Sequence, residues 1–243
     1  MTQGEFFQSY LSKIANSTAF QQGNTAEFSL ERVIYQPNSK LNGKKIGFLG
    51  SSITYGAFSK GVSFVDYLQA IDGISAVKSA ISGATLAGKS QSGYLTRLKT
   101  ELTPQGPYDL LVCQLSTNDL RQGKQFGQIS TSFQPSDYDL ETVIGSIEYI
   151  CQYTRSKLHC PLVFYTCIFA GDDSYDKLVK QLFKLQQKWH FQIIDLYHDS
   201  GINASTRIRR YAMFDRIHPT QAGYLKIWVP FFEQKLIEIF KNN

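Results

Sequence analysis

Ser52 lies in Gly50-Ser51-Ser52-Ile53-Thr54-Tyr55-Gly56, a glycine-flanked turn between an apolar run and an amphipathic segment. A serine hydroxyl is a weak nucleophile at its ordinary pKa. It attacks a carbonyl only when a base sits at hydrogen-bond distance and donors await the oxyanion that forms. His218 is the candidate base, because an imidazole of unperturbed pKa about 6.5 is available in its neutral form near pH 7. Asp215, three residues earlier, could reach back to fix the ring's tautomer and stabilise the imidazolium. The N–H of Gly83 and the side-chain amide of Asn118 are candidate oxyanion donors beside the N–H of Ser52, and the missing Cβ at Gly83 lets backbone approach a substrate closely. His159, His190 and His198 fall at helix ends or at the exit of a strand and read as surface or structural; only His218 is read as having a carboxylate at this spacing.

Taken singly, each signal has a plainer meaning. Gly-Ser-Ser is an ordinary strand-to-helix link, a histidine before proline commonly caps a turn, and Thr117-Asn118-Asp119 is turn chemistry. A competing motif overlaps them. Gly83 to Ser90, GATLAGKS, fits the phosphate-cradling pattern GxxxxGK[ST] letter for letter and makes a P-loop nucleotide hydrolase the alternative reading. That loop requires a firm buried strand before it and an acidic strand end for Mg²⁺. The preceding SAVKSAIS is interrupted by Lys78, and Asp195 is the only acidic strand terminus that would serve. The P-loop reading also leaves Ser52, Asn118 and the Asp215/His218 pair without a role.

These residues need a frame that brings them together. From residue 44 onward, short apolar runs alternate with amphipathic stretches, the pattern of parallel strands joined by crossover helices. The expected strands are Lys45–Gly50, Ile74–Ile81, Asp109–Ser116, Leu162–Ile168 and Phe191–Leu196; the expected helices are Val62–Ile71, Ser90–Leu102, Leu140–Leu158 and Tyr175–Trp189. A closing helix carries Leu225, Val229, Phe232, Leu236 and Ile239 on one face, with Pro230 expected to kink it or start a new helix. In such a sheet, ligands bind beyond the carboxyl ends of the strands, which is where the polar turns fall. Residues 1–43 fit the rhythm poorly. They read as an N-terminal extension packed on the domain or a partner, with an amphipathic stretch Phe6–Ile14 and a strand at Glu31–Tyr35, ahead of a catalytic domain over 44–243.

Composition narrows the classes. The chain has 243 residues, 42% hydrophobic and 19% charged, an ordinary globular profile that excludes disorder and coiled coil. A net charge of +5 spread along the chain does not make nucleic acid the expected partner, and the Arg207, Arg209, Arg210 cluster reads as a solvated loop. Cys113, Cys151, Cys160 and Cys167 form no CxxC pair and read as core thiols of a reducing compartment. Without a signal-peptide pattern at the start or a membrane-length apolar run, the expectation is a cytoplasmic protein with no stable membrane insertion. Oligomeric state stays open, a homo-oligomer included.

FLGSSIT, SAISGAT, LSTND and DRIHP, in that order and with a strand before the first three, resemble the four blocks of the SGNH hydrolases, also called GDSL esterases and lipases. The resemblance spans roughly residues 44–240. It implies a flavodoxin-like three-layer α/β/α sandwich with a central parallel sheet of about five strands. It further implies Ser52 as nucleophile, Ser52, Gly83 and Asn118 as the oxyanion hole, His218 and Asp215 completing a triad, a small-molecule ester substrate, and no metal or organic cofactor. Two positions depart from the family pattern. Ser51 stands where the family has Asp, which leaves open which serine attacks, although the alignment of Gly50 and Thr54 favours Ser52. Ser116-Thr117 replaces the glycine that commonly precedes Asn-Asp. The expected activity is hydrolysis of carboxylic esters, acyl or acetyl, through an acyl-enzyme. A non-catalytic binding protein on the same scaffold is the other alternative, with the extension and the loop around Phe126, Phe133 and Tyr138 as its partner surface.

Overall fold

Five apolar runs pair into one parallel sheet: β1 Lys45–Gly50, β2 Ser75–Ala80, β3 Leu110–Gln114, β4 Leu162–Tyr165 and β5 Gln192–Ile194. Their spatial order is β2-β1-β3-β4-β5. The computed structural model describes residues 14–242. Registers are continuous across the sheet, with Ile46 opposite both Ala76 and Leu110, Val112 opposite Val163, and Phe164 opposite Ile193. β1 has its expected bounds, whereas β4 stops three residues early. Beyond Tyr165 its neighbour β5 has ended, and only the Thr166 N–H still reaches the Ile194 carbonyl, at 3.1 Å.

The helices are α1 Thr18–Gly23, α2 Ser52–Tyr55, α3 Phe64–Asp72, α4 Tyr94–Arg97, α5 Val143–Tyr153, α6 Asp173–Trp189, α7 Ser200–Ile208, α8 Gln221–Gly223 and α9 Val229–Asn242. Right-handed crossovers put α3 and α9 on one face of the sheet and α4, α5 and α6 on the other. Phe64 of α3 stacks on Phe232 of α9 at 4.0 Å, sealing the first layer over Phe48 and Tyr165. α3 begins with a capping box, Ser63 N–H to Asp66 at 2.7 Å, and α6 begins on the Asp172 carboxylate. Ahead of Pro230 the helix widens into a π turn over Tyr224–Trp228, so the proline, which has no N–H to give, sits just after a wider turn inside a continuous helical run.

The strand expected at Glu31–Tyr35 does not form. Leu30–Arg32 makes a 3₁₀ turn, and the chain then runs along α3, where the Gln36 N–H bonds the Ile71 carbonyl at 2.7 Å. The amphipathic stretch from Phe6 lies outside the described residues apart from Ile14. From residue 14 the chain packs on the sheet domain. Asn24 Nδ2 donates to the Phe58 carbonyl at 3.0 Å, Asn24 Oδ1 accepts the Gln221 N–H at 2.9 Å, and Leu41 is fully buried.

Of the aromatic loop expected to form a partner surface, Tyr138 and Phe133 turn toward Trp189. They flank the ammonium of Lys188, which pairs with buried Glu148 at 2.5 Å. The loop is thereby anchored to the domain by a caged, hydrogen-bonded ion pair.

Candidate active site

β1 and β3 are neighbours whose crossovers leave in opposite directions, and the crevice that this reversal opens at their carboxyl ends is where ligands bind in open α/β sheets. Ser52 starts α2 directly after β1. A Cβ at Gly50 would fall 1.7 Å from Thr54 Oγ1, so only glycine allows the chain to turn this sharply into the helix. Gly83 follows β2 with φ +80°, the left-handed region that favours glycine, and an added Cβ there would meet nothing within 4 Å, as fits a residue at the open crevice. Asn118 follows β3.

His218 comes from the loop between α7 and α8. That loop is closed by the Met213–Pro219 bridge, with the Phe214 N–H on the His218 carbonyl at 2.9 Å. The loop brings the Ser52 Oγ and His218 Nε2 to 2.8 Å. On the other side of the ring, Nδ1 lies 2.8 Å from Asp215 Oδ2 and 3.0 Å from Oδ1. Asp215 Oδ1 also accepts the N–H of Ile217 at 2.9 Å and of His218 at 2.8 Å. Burial by itself would raise the Asp215 carboxyl. The His218 hydrogen bond and charge and the two backbone donors outweigh it and hold the group below the ordinary carboxylate range. Phe58 packs 4.6 Å from the imidazole centroid and stacks on Phe214 at 4.2 Å, so Asn24, by gripping the Phe58 carbonyl, ties residues 14–43 to the histidine's support.

The three donors expected from the sequence lie on the turns that follow β1, β2 and β3. The Ser52 N–H is at the first position of α2, where no helical acceptor exists for it. The Gly83 N–H has no backbone acceptor among the described residues. Asn118 Nδ2 gives one hydrogen to the Ala84 carbonyl at 3.0 Å, which fixes the amide and leaves its second hydrogen available. Ser116 takes part in the same loop, accepting the Asn118 N–H at 3.0 Å and donating to Ala84 at 3.2 Å; this serine holds a loop where the family pattern has glycine. Ser51, the other serine of the turn, points inward, and its Oγ is buried beside the Tyr94 hydroxyl.

Residues with no assigned role in the sequence position all of this. Gln114 Oε1 accepts the N–H of Ser51 at 2.9 Å and the hydroxyl of Thr54 at 2.7 Å, pinning the turn from below. Arg97, wholly buried, donates to the carbonyls of Gly50 and Ser92 and to Ser79 Oγ, and burial lowers its guanidinium below the ordinary value. Asp119, also buried, accepts the N–H groups of Leu86 at 3.0 Å and Ala87 at 2.8 Å, clamping the Gly83 loop to the Asn118 loop. A lone polar residue inside an apolar run, such as Gln114 in DLLVCQLS, was the available signal.

Asp119 also decides the P-loop alternative. In GATLAGKS the N–H groups that would cradle phosphate already hold a carboxylate. Ser90 opens no helix, since α4 begins only at Tyr94. A second correction concerns histidine. His198 does have a carboxylate at the same spacing: its Nδ1 lies 2.7 Å from Asp195 Oδ2. Among the described residues no cluster of His, Cys, Asp and Glu could hold a metal ion, and no helix is long and apolar enough to cross a membrane. Cys113, Cys151 and Cys167 are buried free thiols, pushed above their ordinary pKa by burial.

Residues 48–226 match the family model of the GDSL-like lipases and acylhydrolases. The chain belongs to that family. Solved structures share the fold of this GDSL-like hydrolase. A protein from Lactobacillus plantarum is 19% identical, with 83% of this chain and 98% of that chain covered at a TM-score of 0.62. A member of the lipolytic G-D-S-L family from Veillonella parvula is 18% identical over 82% of this chain and 99% of that one, with a TM-score of 0.56. A family two carbohydrate esterase from Clostridium thermocellum, solved with cellohexaose, is 18% identical over 84% and 65%, with a TM-score of 0.55. No curated protein sequence matches this GDSL-like hydrolase.

Proposed function

We propose that this GDSL-like hydrolase cleaves carboxylic esters by acyl transfer to Ser52. The contact that carries the reading is the 2.8 Å approach of Ser52 Oγ to His218 Nε2, with Asp215 on the ring's other nitrogen. His218 Nε2 takes the hydroxyl proton as Oγ bonds to the ester carbonyl carbon. The resulting oxyanion accepts hydrogen bonds from the N–H groups of Ser52 and Gly83 and from Asn118 Nδ2. Collapse breaks the carbon–oxygen bond to the alcohol, which leaves with the proton from Nε2, and an acyl group remains on Oγ. Water, deprotonated by the same nitrogen, attacks the acyl carbon, and the acid departs as Oγ regains the proton. Asp215 stays ionised throughout, holding the proton-bearing Nδ1 toward itself so that Nε2 faces the serine.

Hydrolysis of 4-nitrophenyl acetate by the parent and by Ser52→Ala tests the assignment. The variant is expected to lose essentially all enzymatic turnover. A Ser52→Ala protein as fast as the parent would refute it.

A further inference from the structure

Beside the Asp215 arm of the site, the turn after β4, helix α7 and the loop carrying His218 border an open cavity of about 380 Å³. That is within the range of small-molecule pockets. Its walls are mainly apolar, with Ile168, Phe169 and Met213, and its charged groups are Arg207, Arg216 and Asp215.

The polar atoms of the walls are committed within the protein. Asn203 Oδ1 accepts the Phe169 N–H at 2.9 Å, and its Nδ2 donates to the carbonyls of Leu196 and Asp199, both at 2.7 Å, which fixes the Phe169 turn to α7. The Thr206 hydroxyl donates to the Ile202 and Asn203 carbonyls. Both Asp215 oxygens are directed at His218. The two guanidinium groups differ from these. Neither Arg207 nor Arg216 makes an ion pair among the described residues. Arg207 lies over the ring of Phe169, 6.0 Å from its centroid, which holds the cation against the cavity's apolar wall. Two cations against one carboxylate leave the cavity with an excess of positive charge beside a hydrophobic floor.

A second, narrow hollow shares Ile168 and Ala170 with this cavity. Thr117, next to Asn118, and Ile217, next to His218, line it together with Arg121 and Asp172. Asp215, which lines the cavity and holds the His218 ring, and its neighbour Arg216 place the cavity's cations beside the loop that faces Ser52.

We propose that this cavity recognises an anionic oxyacid group borne on an apolar stem of the ester substrate, with Arg207 and Arg216 as its specificity-determining cations. The proposal rests on ester hydrolysis at Ser52 and deepens it by naming a substrate class. A guanidinium fork matches the paired oxygens of a carboxylate, sulfate or phosphate, and the stem removes apolar surface from water against Ile168, Phe169 and Met213.

Calorimetric titration of the full-length Ser52→Ala protein with octanoate, octyl sulfate, octyl phosphate and octanol tests this without any turnover. The anions are expected to bind about tenfold or more tighter than octanol, with a preference that weakens at high salt, and their ranking identifies which oxyacid is preferred. Arg207→Ala/Arg216→Ala in the same background should abolish the preference, while Arg209→Ala, outside the cavity, should keep it; thermal melts check that each variant is folded. Octanol binding as tightly as all three anions, or a double-arginine variant that retains the preference, would overturn the proposal. In the active protein, the ratio of kcat/KM for 4-nitrophenyl hydrogen adipate to that for 4-nitrophenyl hexanoate should fall about tenfold in the double variant. An unchanged ratio would count against the proposal. Because the titration does not depend on Ser52, failure of the acyl-enzyme reading and failure of the anion site give separate results.

Discussion

The chain contains two Asp-x-x-His pairs with nearly the same internal geometry and different surroundings. In Asp215/His218 the carboxylate lies 2.8 Å from Nδ1 and accepts the histidine's own N–H at 2.8 Å. In Asp195/His198 the corresponding distances are 2.7 and 3.3 Å. The spacing therefore produces the local motif by itself, as a turn in which a carboxylate reaches both the backbone and the ring three residues on. The difference lies beyond the pair. The His218 side chain is 14% exposed, backed by Phe58, with Ser52 Oγ on its far nitrogen. The His198 side chain is 51% exposed at the edge strand, where Asp195 also accepts from Thr166 Oγ1, and among the described residues no serine reaches the ring's other nitrogen. An orienting carboxylate is thus cheap to build. What distinguishes the His218 pair is its third partner, Ser52, presented by a turn that Gln114 and Arg97 hold in place.

The largest expected effect separates the pairs outright. His218→Ala should lower kcat for an activated ester on the order of 10⁴- to 10⁶-fold, measured by steady-state release of 4-nitrophenol. Asn118→Ala should follow with a loss of about 10²- to 10³-fold in kcat, since it removes the proposed oxyanion donor while leaving both pairs intact. A smaller effect is expected at Gln114, which touches neither substrate nor His218. Gln114→Leu should lower kcat about ten- to a hundredfold with little change in KM, through a misplaced Ser52; a rise in KM alone would argue against a positioning role.

Much of this was legible in the sequence, and the reasons the rest was not are specific. The strand bounds of β1 and the places of Ser52, Gly83 and Asn118 follow from strands ending in polar turns, because a parallel sheet sends all such turns to one edge, whereas His218 lies past β5 and helix α7 and is marked by the Asp215 three residues before it. Gln114, Arg97 and Asp119 carried no comparable mark. Their roles depend on which backbone groups stand opposite them in the folded chain, such as the Gly50 carbonyl for Arg97, 47 positions away. The Glu31–Tyr35 segment has strand-like residues, but the chain there is drawn along α3, with the Gln36 N–H on the Ile71 carbonyl, and joins neither edge of the sheet. Lys188 illustrates the same limit: nothing local indicates that Phe133, Tyr138 and Trp189 gather around it.

Acid should distinguish Asp215 through stability. Its folded pKa lies below the ordinary value, so its contribution is present above about pH 4 and is lost as pH falls through the lowered folded value. The difference in Tm between the parent and Asp215→Asn should accordingly shrink as melts are taken from neutral pH down through that range. The smallest effect belongs to the other pair: His198→Ala should leave kcat within about twofold, because no reacting group meets that ring.

The most direct test is to treat the parent, Ser52→Ala, His218→Ala and His198→Ala proteins with a fluorophosphonate and locate the adduct by peptide mass spectrometry. One adduct on Ser52 is expected in the parent and in His198→Ala at comparable rates, with none in Ser52→Ala and greatly slowed labelling in His218→Ala. Labelling of Ser51 instead, or equal rates with and without the His218 imidazole, would contradict a nucleophile activated across the sheet by that ring.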